Sequence, residues 1–377
     1  MPFSRYMEIC LYDPVAGYYS RNASQFGKAG DFYTSSDVHA VFGRLLARQF
    51  EEMWRALDRP AELEILELGP GRGLFARDVL DWSSQKFPDF FASLKYTLQE
   101  SSPALQVKLQ ETLAEHIARG VARAPSPAQM RELLPNHERV DEKQSNARIR
   151  RTSAPDTPVI IFGNEFFDTL PFEILSAQGK LHLVVEGTHL KETWLSPADE
   201  ELTFLDQYSI HPEAGERIEV PLAAQRWMAE SADAIHIGFL IAVDYGYTRA
   251  EQLAGRHRGT LMAFRQHSAS ENPYEAPGEQ DLTAHVNFTA LSAAAESAGV
   301  QTQKLVTQAQ FLMGIGEKTE FADAFEGCRL PQERAKVALQ LKHLVTPAGM
   351  GETFHVLVAR RGVNPARVAK LSGLRFA

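Results

Sequence analysis

Cysteine is almost absent from this chain of 377 residues, with only Cys10 and Cys328. Two thiols so far apart make neither a disulfide framework nor a CxxC metal cage, so both are expected as reduced thiols in a cytosol-like compartment, with no metal site. Long apolar runs are also missing. The longest, Ile235 to Val243, is interrupted by His236 and Gly238 and falls far short of the roughly 20 residues that a membrane helix needs. The opening MPFSRYMEIC has neither a signal-peptide pattern nor an Arg-rich transit pattern. A soluble, cytoplasmic protein without membrane insertion is expected. Basic charge is short as well: 39 Lys+Arg stand against 48 Asp+Glu, a net charge of −9, which argues against a nucleic-acid partner, because phosphate tracking needs Lys and Arg.

What is present is patterned. Val38, Val41, Phe42, Leu45, Leu46, Phe50 and Met53 recur at the helical period and predict an amphipathic helix over 37–54, with Thr34, Ser35 and Ser36 as cap material. Leu63 to Leu68 reads as a strand, stopped by Gly69-Pro70-Gly71-Arg72-Gly73, and Leu74 to Trp82 returns to helical spacing. Lys95 to Leu98 is a second strand, and Pro103 opens the next helix at a position where its missing N–H costs nothing. Val159 to Phe162 and Gly238 to Val243 are continuous apolar runs of the kind that suits buried parallel strands. Leu291 to Ala298 predicts a helix, with Val300 to Val306 and Phe354 to Ala359 as last strands. The alternation predicts an α/β, doubly wound sheet. Two stretches interrupt it. Arg119 to Thr157, rich in proline and polar residues, reads as an irregular connection hiding a weak strand. Phe172 to Val220 reads as short antiparallel strands (Phe172 to Leu175, Leu181 to Val185, Thr193 to Leu195) around Gly179 and Gly187.

The segment Glu67-Leu68-Gly69-Pro70-Gly71-Arg72-Gly73 is the most informative. Glycines at alternate positions after a strand let the backbone approach a ligand, and the next helix offers free N–H groups. A dinucleotide loop, G-x-G-x-x-G, would need glycine at 74, where Leu74 stands. Glu67, at the strand end, would repel a pyrophosphate yet could hold the ammonium of a sulfonium-bearing amino acid. Glu100, after the second strand, is placed to accept hydrogen bonds from ribose hydroxyls. Together they point to S-adenosylmethionine as cofactor, against the plainer reading of a tight turn with two solvated carboxylates.

The strand at 159–162 delivers Asn164-Glu165-Phe166-Phe167-Asp168-Thr169-Leu170-Pro171 to the same sheet edge. A turn explains this composition. So does a cation clamp of two carboxylates three residues apart, with Phe166 or Phe167 lining the pocket, and the residues alone leave both open.

Ordered motifs span nearly the whole chain: Leu11-Tyr12-Asp13-Pro14 with Gly17-Tyr18-Tyr19, Gly30 to Ser35, Glu67 to Gly73, Asn164 to Pro171, Asp244-Tyr245-Gly246, Gly259-Thr260-Leu261, Phe264 to His267, Pro277 to Phe288, Thr307 to Phe311 and Met350 to Phe354. In them the chain resembles the MidA-type class I methyltransferases, a family that includes the mitochondrial complex I assembly factor that methylates an arginine. The resemblance implies an α/β class I SAM-methyltransferase (Rossmann-like) fold: a doubly wound seven-stranded sheet with an N-terminal helical segment and an inserted β-rich subdomain. It implies symmetric ω-N-dimethylation of arginine on a protein partner, a subunit of respiratory complex I in the family. Ser36 stands where the family usually has proline, and the 119–157 connection lacks the family's tryptophan-containing third strand.

The expected organisation is an N-terminal segment packing on the cofactor site (1–60), a first part of the core (61–171), the β-rich insert (172–234), a second part of the core (235–362) and a tail (363–377). Cofactor binding is assigned to Glu67, Gly69, Gly71, Gly73, Glu100, Asn164, Asp31 and Thr34, the last two as a lid or as caps of the following helix. Glu165 is expected to pair with the guanidinium, Asp168 to act as second carboxylate or orienter, and His285 to accept the proton, although a structural histidine is the alternative. Phe166, Asp244 and Tyr245 are expected to line the substrate, and Phe288 and Phe311 to be core. Methylation of a small molecule or another side chain, and a silent SAM-binding assembly factor, remain as alternatives. A nicotinamide dehydrogenase fits the glycine spacing worst.

Overall fold

The computed structural model describes residues 1–21, 40–125, 149, 151–154, 156–187, 189–265, 268–270 and 272–377. The expectations placed on Asp31, Phe32, Thr34, Ser36, Asp37, Val38 and His267, and on most of the 119–157 connection, lie outside the described residues.

The chain begins with helices α1 (Phe3–Tyr12), α2 (Tyr18–Arg21) and α3 (Ala40–Ala56). The first unit of the sheet follows as β1 (Leu63–Leu68), α4 (Leu74–Lys86), β2 (Leu94–Gln99), α5 (Pro103–Thr112) and the two-residue β3 (Ala122–Arg123). Ser102 caps α5, its side chain accepting from Leu105 N–H at 3.2 Å, with Pro103 in the first turn. After β4 (Val159–Asn164) comes an antiparallel group, β5 (Glu173–Ser176), β6 (Gly179–Glu186), β7 (His189–Leu195), helix α6 (Asp199–Tyr208) and β8 (Ile218–Val220). Helix α7 (Leu222–Asp233) leads into β9 (Gly238–Tyr247). A second antiparallel group, β10 (Met262–Arg265), β11 (Ser268–Ser270) and β12 (Asp281–Thr283), precedes β13 (Val286–Asn287) and α8 (Phe288–Ser297). The chain closes with β14 (Gln301–Thr302), β15 (Val306–Thr307), α9 (Gln308–Glu317), α10 (Pro331–Val345) and β16 (Phe354–Arg361).

The main sheet runs β14–β16–β9–β4–β1–β2–β3, with β13 attached to β9 and β15 to β16. Its middle is parallel, and β16 returns antiparallel along β9, Phe354 opposite Tyr245 through Arg361 opposite Gly238. Seven strands on the main path agree with the expected sheet. The single strand expected over 300–306 is instead two short pairings, because only Gln301–Thr302 and Val306–Thr307 lie against β16.

Both faces of the sheet are covered, which is why β1 is buried along its whole length. Alternation along the strand sends Leu63 and Ile65 towards Phe42, Leu45 and Phe50 of α3 and Phe75 of α4. Leu66 and Leu68 point the other way, towards Ala224 and Met228 of α7 and Leu291 and Ala295 of α8. Helix α7 thus lies on the main sheet although it follows the antiparallel group directly. Phe288 and Phe311 are both buried. Helix α1 is buried between the two antiparallel sheets: Phe3, Met7 and Leu11 share a core with Leu181, Leu183, Ala263 and Leu282. Among the described residues no helix is long and apolar enough to cross a membrane.

Glu64, fully buried in β1, anchors the return of the chain after β3. It accepts from Thr97 Oγ1 at 2.8 Å, Thr152 N–H at 2.9 Å and Arg151 Nε at 3.1 Å, and from Ser153 Oγ. Burial opposes its charge, but the hydrogen bonds from Ser153, Thr152 and Thr97 outweigh burial and hold the carboxyl below its ordinary pKa. A carboxylate held low in the folded state stabilises the fold above its unfolded pKa and loses that contribution as pH falls. Arg151→Ala strands this buried charge and is expected to lower the unfolding free energy by about 3 kcal/mol at neutral pH, read by urea denaturation. Unchanged stability would show that Arg151 does not hold the segment.

Candidate functional site

The carboxyl ends of β1, β2, β4 and β9 converge on one edge of the sheet, where ligands of open α/β sheets bind. After β1 the loop is pinned at both ends: Gly69 N–H donates to Gln99 O at 3.1 Å and Gly73 N–H to Pro70 O at 2.9 Å. Gly69, Gly71 and Gly73 have φ of +62°, +56° and +75°, the left-handed region that favours glycine. Their surroundings differ. A Cβ at Gly69 would stand 2.9 Å from the Phe166 ring, and one at Gly73 3.2 Å from the Leu113 side chain, whereas at Gly71 no described atom lies within 4 Å. Gly71 is therefore the point where the loop opens.

Glu100 stands against this opening. Its Oε2 accepts from Gly71 N–H at 3.0 Å and its Oε1 from Ser102 N–H at 2.8 Å. Burial pushes its carboxyl up to about 7 against these backbone donors. Glu67 is buried and its Oε2 accepts from Tyr96 O–H at 2.8 Å. Burial, with Glu100's charge adding to it, pushes Glu67 up to about 8 despite that hydrogen bond. Two carboxyls that resist ionisation so near each other favour a cationic guest, which restores their charged forms.

The turn after β4 carries the other half of the site. Glu165 is half-buried with φ +50°, a left-handed conformation that a non-glycine residue adopts only when its surroundings impose it. The imposing group is Asp244 at the end of β9. Fully buried, its Oδ2 accepts from the N–H groups of Phe167 at 3.0 Å and Asp168 at 3.3 Å, and its Oδ1 from Tyr245 N–H at 3.0 Å. Expected to line the substrate, Asp244 is fully buried against the backbone of Phe167 and Asp168. Asn164 Nδ2 donates to Glu165 Oε1 at 3.1 Å, while Asn164 Oδ1 is buried without a partner among the described residues. Asp168 Oδ2 accepts from the Tyr245 hydroxyl at 2.5 Å, and burial, with Asp281 adding its charge, pushes Asp168 up to about 7. Burial and the charges of Asp168 and Glu165 raise Asp244 well above the ordinary carboxylate range.

His285 sits beside this group: its ring meets Tyr245 edge-on at 5.3 Å, and its Nδ1 lies 3.0 Å from His257 Nδ1. Burial and His257 hold it down at about 4, so it is neutral at pH 7. Phe166 packs edge-on against both Phe167 and Trp227, each at 5.2 Å.

Three residues with no assigned role in the sequence reading join the site. Tyr12 donates to Thr169 O at 3.0 Å, Tyr19 donates to buried Asp281 at 2.7 Å, and the two rings lie 5.5 Å apart. Tyr12 lies near enough to Asp281, Asp168 and Glu100 for all three charges to raise its pKa, which puts it between the loop side and the turn side. Ser102 Oγ donates to Tyr19 O at 2.6 Å and ties α2 to the Glu100 segment. Tyr12, Tyr19 and Asp281 fall inside the quoted motif strings, which is the signal the sequence offers for them.

The family described as S-adenosyl-L-methionine-dependent methyltransferase matches residues 45–306. The mitochondrial protein arginine methyltransferase NDUFAF7 homolog of Drosophila melanogaster is 29% identical over 395 residues, covering 100% of this chain and 85% of that one. Human mitochondrial protein arginine methyltransferase NDUFAF7 is 25% identical over 361 residues, covering 93% and 78%. A crystal structure from Burkholderia thailandensis, bound to S-adenosylhomocysteine, superposes with a TM-score of 0.77 at 26% identity, covering 98% of this chain and 90% of that one.

The residues here fit S-adenosylmethionine. Gly71 leaves a cradle that a side chain would fill, the Glu100 carboxyl stands beside it, and Asn164 Oδ1 is a buried acceptor in want of a donor. Gly71→Val places a β-branched residue at φ +56° and fills the cradle. It is expected to abolish S-adenosylmethionine binding in calorimetry while costing about 1–2 kcal/mol of stability. Retained affinity would remove the loop from the binding site.

Proposed function

The chain belongs to the S-adenosyl-L-methionine-dependent methyltransferase family matched over residues 45–306, and on that premise we propose that it methylates an arginine side chain of a protein partner. The observation that carries this reading is the turn at 165–168: a half-buried carboxylate, Glu165, tethered by Asn164 and backed by Asp168 and Asp244. The arginine methyltransferases among its relatives, 25–29% identical, support the same acceptor. By resemblance the proposal extends to symmetric ω-N-dimethylation and to a subunit of respiratory complex I as partner.

The bound cofactor supplies a methyl group activated on a sulfonium. The protein's task is to bring one acceptor nitrogen into line, where orientation contributes on the order of 7–11 kcal/mol. A guanidinium is a weak nucleophile because its charge is delocalised over three nitrogens and its pKa lies above about 12. Glu165, paired with the non-reacting nitrogens, draws positive charge towards itself and leaves the remaining nitrogen richer in electrons. Asp168, ionised above about 7, adds negative potential beside it, and Phe166 walls the pocket beside Gly69.

Methyl-labelled S-adenosylmethionine incubated with the protein and an extract of its native host should give methylarginine by mass spectrometry; label only on lysine, a carboxylate or a metabolite refutes the reading. Glu165→Gln is expected to lower transfer on the order of 10²-fold or more with S-adenosylmethionine affinity nearly unchanged. Equal loss of both would put Glu165 in the cofactor site. A cationic acceptor favours ionised carboxyls, so kcat/KM for the acceptor should rise with pH through about 7, where Asp168 loses its proton. A profile flat across that range would remove Asp168 from acceptor binding.

A further inference from the structure

Behind the 165–168 turn, between the end of β9 and helices α7 and α8, lies a small cavity lined by Asp168, Glu219, Gln225, Tyr247, His285 and Asn287 among others. Two buried carboxylate oxygens of this lining, Asp168 Oδ1 and Glu219 Oε2, have no partner among the described residues. Their sister oxygens are engaged: Asp168 Oδ2 by the Tyr245 hydroxyl, and Glu219 Oε1 by Thr260 N–H at 2.7 Å and Leu261 N–H at 2.9 Å. Buried polar oxygens left this way call for a polar guest between them, and a water with two to four such partners meets that need. One lining residue, His285, pairs with a second ring outside the cavity. His285 Nδ1 lies 3.0 Å from His257 Nδ1, and half-buried His257 stacks on Tyr247 at 5.0 Å and 12°.

Methylation of a guanidinium replaces one N–H bond by an N–C bond while the product keeps its positive charge, so one proton is left over and must leave a buried site. We propose that this cavity is its exit: Asp168 hands the proton to a water held between Asp168 Oδ1 and Glu219 Oε2, and the His285–His257 pair carries it to solvent. The proton is taken up by the Asp168 carboxylate as the N–H electron pair stays on the acceptor nitrogen. From the water it bonds to His285 Nε2, the Nδ1 proton of His285 moves to His257 Nδ1, and His257 Nε2 releases a proton to bulk water. Glu219 acts as a positioning residue for that water. The titratable and charged groups around the route are Tyr245, Asp244 and Asp281 on the Asp168 side, and Tyr247, Glu251 and Arg256 on the Glu219 and histidine side.

The inference rests on the arginine reading. Its test is the initial rate of methylarginine formation in host extract at saturating S-adenosylmethionine, in H₂O and D₂O, for the wild type, Glu219→Gln and His257→Ala. Glutamine keeps an acceptor for Thr260 and Leu261. Glu219→Gln should be slower by about tenfold with S-adenosylmethionine affinity unchanged and a larger solvent isotope effect. His257→Ala should be slowed similarly and recover with added imidazole, a response that a merely structural role would not give. Wild-type rate and isotope effect in Glu219→Gln, or a slowed His257→Ala that imidazole does not rescue, overturns the route. Failure of the arginine reading shows differently, as a wild-type reaction without methylarginine, and overturns both.

Discussion

The Asp244 carboxylate is the interaction on which the site depends. Held in the second half of β9, a strand buried everywhere but at Tyr245, it accepts backbone N–H groups from Phe167, Asp168 and Tyr245. These bonds bend the chain after β4 so tightly that Glu165 is held at φ +50°. A buried carboxylate with its charge satisfied only by N–H dipoles is costly to place. In return it aligns two strand ends that would otherwise be independent.

Around this lock three parts of the chain meet. The parallel sheet supplies the frame: the glycine loop after β1 and Glu100 after β2 on one side, the 164–168 turn and Tyr245 on the other. Helices α1 and α2 come from the start of the chain, where α1 fills the space between the two antiparallel sheets. They carry Tyr12 and Tyr19 to the seam between the glycine-loop side and the 164–168 turn. The second antiparallel sheet brings Asp281 beneath Tyr19. Carboxyls from four segments thus share one low-dielectric region, and their raised pKa values follow from burial among like charges. A cation entering the region would relieve that opposition.

What the sequence disclosed follows from how local each signal is. Leu63 to Leu68 is legible as a strand because all six residues are buried and the glycine loop stops it sharply. Gly71 and Glu100 are legible because the loop and the acid after the second strand stand in a fixed order. A strand-end acid such as Asp244 has the look of a substrate contact, and its three N–H partners, two of them 76 and 77 residues away, are not legible locally. Tyr12, Tyr19 and Asp281 gave no role for the same reason, since their partners are brought in by tertiary folding. The sheet of β10 to β12 escaped notice because its strands are only three or four residues long and carry no sustained alternation. The pairing of β14 and β15 with β16 was blurred by polar Gln303 and Lys304 between them.

The central claim is that a guanidinium is gripped at the turn that Asp244 holds. A crystal structure of the protein with S-adenosylhomocysteine and an arginine peptide drawn from its methylated partner tests this most directly. The guanidinium should lie within hydrogen-bond distance of Glu165, one nitrogen facing the cofactor's sulfur, with Asp244 still bonded to Phe167 and Asp168 N–H. A guanidinium bound elsewhere, or a 165–168 turn that opens away from Asp244 to admit it, would contradict the account.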